Sequence, residues 1–115
     1  EKFNAVYVAI VSLRKENVSM ALLKDRSEKT SVIMDFVNNN PDKFNKLISD
    51  KNIITKALIE TLITRGELVR AEYNQQISSA EGTFIGSNIN EAVAYFNNPN
   101  NKEIRTIYEN KLKMF

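Results

Sequence analysis

Reading from the N-terminus, apolar residues first recur at Phe3, Val6, Tyr7, Ile10 and Leu13, the three-and-four spacing of one helical face. Ala5, Val8, Ala9 and Val11 fill the positions between them. The segment is therefore apolar nearly all round, which predicts a helix buried at the centre of the fold. Its β-branched content also allows a strand over residues 6–13. Helix is the favoured reading, because forty residues pass before the first Gly or Pro, at Pro41. Residues 17–23 continue this helix or start a short second one.

Ser27 can cap a helix over residues 28–37, with Val32, Ile33, Phe36 and Val37 as its apolar stripe. The run Asn38, Asn39, Asn40 ends it, and Asn40 before Pro41 starts another, with an N-cap residue followed by proline at the first helical position. That helix, over residues 41–49, buries Phe44, Leu47 and Ile48, and Asp42 complements its dipole. Asn52 caps a further helix over residues 53–65, which Gly66 closes where a left-handed residue is wanted.

After Gly66 the period changes from helical to alternating. Leu68, Arg70, Glu72 and Asn74 alternate with Val69, Ala71 and Tyr73, which predicts a strand that residues 75–77 extend or end. Glu81 and Gly82 mark a turn, and residues 83–85 read as the returning strand of a β-hairpin. Asn88 with Glu91 forms a capping box for a helix through Phe96. Residues 102–114 form a last amphipathic helix carrying Ile104, Ile107, Tyr108 and Leu112, with Phe115, on one side. No internal repeat is present.

Composition narrows the chemistry. The 115 residues are 43% apolar and 26% charged, values of one ordinary globular domain rather than a disordered chain. We therefore expect a single domain over residues 1–115, although a start at Glu1 is equally that of a piece of a longer chain. There is no cysteine and no histidine. Zinc, copper and haem sites, which rely on those ligands, are nearly excluded, and Ser–His–Asp or Cys–His catalysis is excluded outright. No close pair of carboxylates suggests a general acid and base, so an enzyme is not expected, nor any metal or cofactor. Residues 82–88 hold two glycines but no lysine at P-loop spacing, and a turn with a helix cap accounts for them.

Sixteen basic residues face fourteen acidic ones, a net +2 without a large positive field. Arg14, Lys15, Lys24, Arg26 and Lys29 lie among Glu16, Asp25 and Glu28 and read as a solvated, mixed-charge surface. Lys111 and Lys113 suit the end of the last helix through its dipole. No apolar run reaches the ~18 residues of a membrane span, and the flanks of residues 5–11 are not those of a signal peptide. The expected compartment is the cytoplasm, or a host cytoplasm or virion, since abundant Asn, Lys and Ile suit an AT-rich genome of the phage kind.

One constellation resembles a known family. Ile54, Ala57, Leu58, Leu62, Gly66, Leu68, Val69 and Arg70 fall close to the slots of the recognition helix and first wing strand of winged helix-turn-helix domains. Residues 44–49 would be the preceding helix, residues 50–52 the turn and residues 68–85 the wing. Two departures stand out: Glu67 intervenes between the glycine and Leu68, and the wing is long and polar without a basic tip. The resemblance implies an α+β, mainly helical fold with a winged-helix-like core, one β-hairpin and additional N- and C-terminal helices.

It also implies a helix entering the DNA major groove through Thr55, Lys56, Glu60, Thr61 and Thr64. The expected contacts to DNA are Lys46, Lys51, Thr55, Lys56, Arg70 and Tyr73; Tyr7, Tyr95 and Tyr108 lie on apolar helical faces and are expected in the core. From residue 42 to residue 72 six basic side chains meet five acidic ones, so the net +1 is a thin footprint for phosphate. The competing expectation is a protein-interaction or assembly module, binding a protein partner or a second copy within a larger complex such as a phage particle or replication complex.

Overall fold

The computed structural model describes residues 2–14 and 18–113. Its elements run α1 (Lys2–Leu13), α2 (Val18–Leu22), α3 (Arg26–Asn39), α4 (Pro41–Ser49), α5 (Ile53–Thr64), β1 (Leu68–Arg70), β2 (Ile77–Ser79), β3 (Phe84–Gly86), α6 (Ile89–Asn97), a 3₁₀ turn (Pro99–Asn101) and α7 (Lys102–Lys113). The class is α+β and mainly helical, as expected. Lys15 and Glu16 of the mixed-charge stretch, Asn17 of the expected second helix, and Met114 and Phe115 at the end of the last all lie outside the described residues, as does the side chain of Lys113.

The N-terminal apolar segment is helix, not strand. Ala5, Val6, Tyr7, Val8, Ile10 and Val11 are all buried, a distribution around the axis that suits a central helix. The Tyr7 hydroxyl satisfies itself on the Ala21 carbonyl of α2 at 2.8 Å. From α3, the Arg26 guanidinium lies 4.1 Å from the centre of the Phe3 ring.

α3 begins two residues earlier than Ser27 capping would place it. Asp25 is the N-cap and accepts from the Glu28 N–H at 2.8 Å. Asn40 holds the N-cap position of α4, with Pro41 behind it, yet makes no side-chain cap bond. α5 ends as Gly66 predicts. With Gly66 at φ 82°, its N–H bonds to the Ile63 carbonyl and the Glu67 N–H to the Leu62 carbonyl, the two bonds of a Schellman motif. Half of the capping box forms: the Asn88 side chain accepts from the Glu91 N–H, whereas the Glu91 carboxylate reaches one residue past the cap and accepts from the Ser87 N–H.

The single hairpin is instead a three-stranded antiparallel meander in the order β1-β2-β3. The alternating stretch would have pointed Glu72 and Asn74 to the same side as buried Leu68, and the core has no place for them. The chain turns after Arg70. Ala71 and Gln76 close the turn, Gln75 adopts φ 62°, and fully buried Ile77 starts β2.

Two apolar clusters form the interior. The first gathers α1, Phe36, Ile53 and Ala57. The second gathers Ile59, Leu62, Leu68, Ile77, Ile85, Ala92, Val93 and Phe96, with Tyr95, Tyr108 and Leu112 packed against it. α5 belongs to both. At roughly 100° per residue, Ile53 and Ala57 lie on one side of its axis and Thr55, Ile59 and Leu62 on the other. Tyr7 and Tyr108 thus stand in or against the core as expected, Tyr108 edge-on to Phe96 at 5.7 Å.

Candidate binding groove

The helix expected to read DNA is α5, and it is enclosed. Every residue of α5 is buried or half-buried. Thr55, expected on its exposed face, is only 5% exposed, and its hydroxyl donates to Asn97 Oδ1 at 3.1 Å. This corrects its place among solvent-facing contacts. A recognition helix needs one face clear of its own protein, and α5 spends opposite faces on two cores.

The other expected contacts scatter. Lys56 donates to Asp50 Oδ2 at 2.6 Å. That bond, and then the Asn52 N–H bonded to the other carboxylate oxygen, holds the Asp50 carboxyl below its ordinary value. Arg70 is bound to Glu60 through its Nη2. Lys51 is exposed in the turn between α4 and α5, and Tyr73 is 91% exposed in the turn between β1 and β2. Lys46 is exposed on α4, with no ion pair among the described residues.

What the fold does bring together is a groove. Val8 and Ala57 stand where α1 meets α5, and a hollow opens on each side of that meeting. The larger, of about 750 Å³, is walled by α1, α3, α4, α5 and the first residue of α6. Its floor is apolar: Val8, Ala9, Phe36, Leu47, Ala57 and Ile89, with Leu13, 60% exposed, at the lip. Its rim carries Arg14, Lys43, Lys46 and Lys56 against one carboxylate, Glu60. Asp50 and Arg70 hold the charges of Lys56 and Glu60, and Arg14 has an interaction of its own, so the rim cations left to a ligand are Lys43 and Lys46. Ser12 also lines the groove, and its hydroxyl is buried without a hydrogen-bond partner among the described residues.

Lys46 and Lys56 are therefore the two expected site residues that share a site. Lys51, Thr55, Arg70 and Tyr73 do not line it, although Arg70 fixes Glu60 in its wall. Arg14 and Lys43 were not foreseen. Lys43 could have been, since Lys43 and Lys46 lie one helical turn apart on α4 beside the apolar Phe44, Leu47 and Ile48. Arg14 could not, because only the packing of α1 brings its end beside α4. The smaller hollow, about 400 Å³, lies among α1, α2, α5 and α7 and holds one ion pair on its edge, Arg105 with Glu109 at 3.6 Å.

The sheet offers a second apolar surface. Val69, Ser78 and Phe84 stand side by side across the three strands, and both Val69 and Phe84 are half exposed. Glu72 and Glu81 sit in its two turns, which are acidic rather than basic. No group of three or more acidic side chains gathers as a metal site among the described residues, and no helix there is long and apolar enough to cross a membrane. No family model, curated protein or solved structure matches the chain.

Proposed function

We propose that the protein is a non-enzymatic interaction module whose groove between α1, α4 and α5 takes an apolar segment of a protein partner. The observation that supports this most is the open apolar floor of about 750 Å³ at the junction of four helices. Open apolar grooves of this kind suit a helix laid into them, with side chains spaced along one face as anchors. Nucleic acid fits less well. Its backbone would be drawn to Lys46 and Lys51, yet Lys56 and Arg70 already hold carboxylates and α5 has no free face.

The test is panning of a random peptide library on the protein, followed by binding of enriched peptides to Leu13→Gln and, as a control, Phe84→Ser. Both positions are more than half exposed, so the fold is retained. Loss of binding in the first variant alone supports the groove. Peptides that depend on Phe84 would move the interaction to the sheet. Retardation of duplex DNA at low salt, abolished by Lys51→Glu with Lys56→Glu, would make the protein a nucleic-acid reader instead.

A further inference from the structure

We infer that the groove's partner segment is an amphipathic helix with an acidic outer face. This rests on the groove being a protein-binding site and adds the chemistry of what enters it. The argument is charge complementarity around an apolar floor. Lys43 and Lys46 stand one turn apart on α4, both exposed and neither held by a carboxylate among the described residues. Lys56 of α5 also lines the groove, its charge held by Asp50 at 2.6 Å. The α4 side of the rim is thus cationic, while on the α5 side Lys56 and Glu60 are each already engaged, by Asp50 and Arg70.

A ligand that matches this surface must carry apolar groups in a row and anionic groups beside that row. An acidic amphipathic helix does so: anchors at i, i+3 or i+4, and i+7 span about 10 Å along its axis, and Glu or Asp beside them reach Lys43 and Lys46 on α4. A fatty acid supplies the apolar row but a single carboxylate, which leaves one of the two α4 lysines unanswered. A nucleic acid strand supplies the charges but nothing for Leu13, Leu47 and Phe36 to meet. Contacts of rim cations with such a helix govern the rate of encounter and the choice of partner, while the apolar anchors hold it.

The experiment uses three sixteen-residue peptides with the same Leu and Phe anchors and with Glu, Gln or Lys at the flanking positions, titrated against the full chain by fluorescence anisotropy at low and high salt. The Glu peptide is expected to bind roughly tenfold or more tighter than the Lys peptide at low salt, a gap that narrows at high salt. Lys43→Glu with Lys46→Glu should reverse the order, with circular dichroism unchanged because both side chains are exposed. Equal binding of all three peptides, still sensitive to Leu13→Gln, would overturn the acidic face and leave the groove reading intact. Binding of none would overturn both. Displacement of the Glu peptide by oleate at equal concentration would assign the groove to a fatty acid and overturn the helix.

Discussion

The hydroxyl of Thr55 meets the side-chain oxygen of Asn97 at 3.1 Å, tying the start of α5 to the end of α6 across 42 positions of sequence. Asn97 is a hub: its amide donates to Asn52 Oδ1, the N-cap residue of α5, and its oxygen also accepts from Arg105 of α7. Removing Asn97 therefore costs more than removing Thr55. Asn97→Ala leaves a buried hydroxyl to find water and should cost about 1–2 kcal/mol, whereas the nearly isosteric Thr55→Val should cost under about 1. The pair should be non-additive in a urea double-mutant cycle. Additive costs would show that the two side chains do not act together.

Asp50 gives the protein an acid-sensitive joint between α4 and α5. Its carboxyl lies below the ordinary value because Lys56, and then the Asn52 N–H, bond to its charged form. The unfolded chain then binds the proton more readily, so the contribution is complete above the unfolded value of 3.8 and is lost as pH falls through the lower folded one. In urea titrations from pH 7 to pH 3, the wild type should lose more stability than Asp50→Asn. Parallel pH profiles would remove the joint.

Gly66 and Gly86 are needed for different reasons and should respond differently. Gly66 sits at φ 82° with open space around it, so alanine should cost about 1–2 kcal/mol and asparagine less. A Cβ on Gly86 would come within 2.7 Å of the Ala92 nitrogen and 2.9 Å of the Glu91 backbone carbon, forcing β3 away from α6. Gly86→Ala should cost about 1–3 kcal/mol, with no relief from asparagine. Thermal melts of the four variants check this, and equal Ala and Asn effects at Gly66 would contradict it.

Gln75 occupies the left-handed region at φ 62° in the turn between β1 and β2. Gln75→Gly should stabilise the protein by about 0.5–1 kcal/mol, since the conformation is strained for any side chain. A lower melting temperature in that variant would show that Gln75 gains more from its bond to the Glu72 carbonyl, at 3.2 Å, than it loses in strain.

Local signals carried most of the fold. The period of α1, the glycine after α5 and the Asn88 cap of α6 each depend on residues within one or two turns, and each formed as read. The errors arose where a distant partner decides. Thr55 looks like a solvent residue until α6 delivers Asn97 to it, and Glu72 continues an alternation that only the absence of room inside interrupts. The groove follows the same rule. Its lysines on α4 can be read from the chain, but Arg14 joins them only through the way α1 is laid against α4 and α5.

α5 is a shared beam, since Ile53 and Ala57 serve one cluster and Ile59 and Leu62 the other. Neither half of the molecule can therefore melt while its neighbour keeps its shape. A cut anywhere along the beam would hand each piece an interior missing a wall, so the chain has to live or die as a whole.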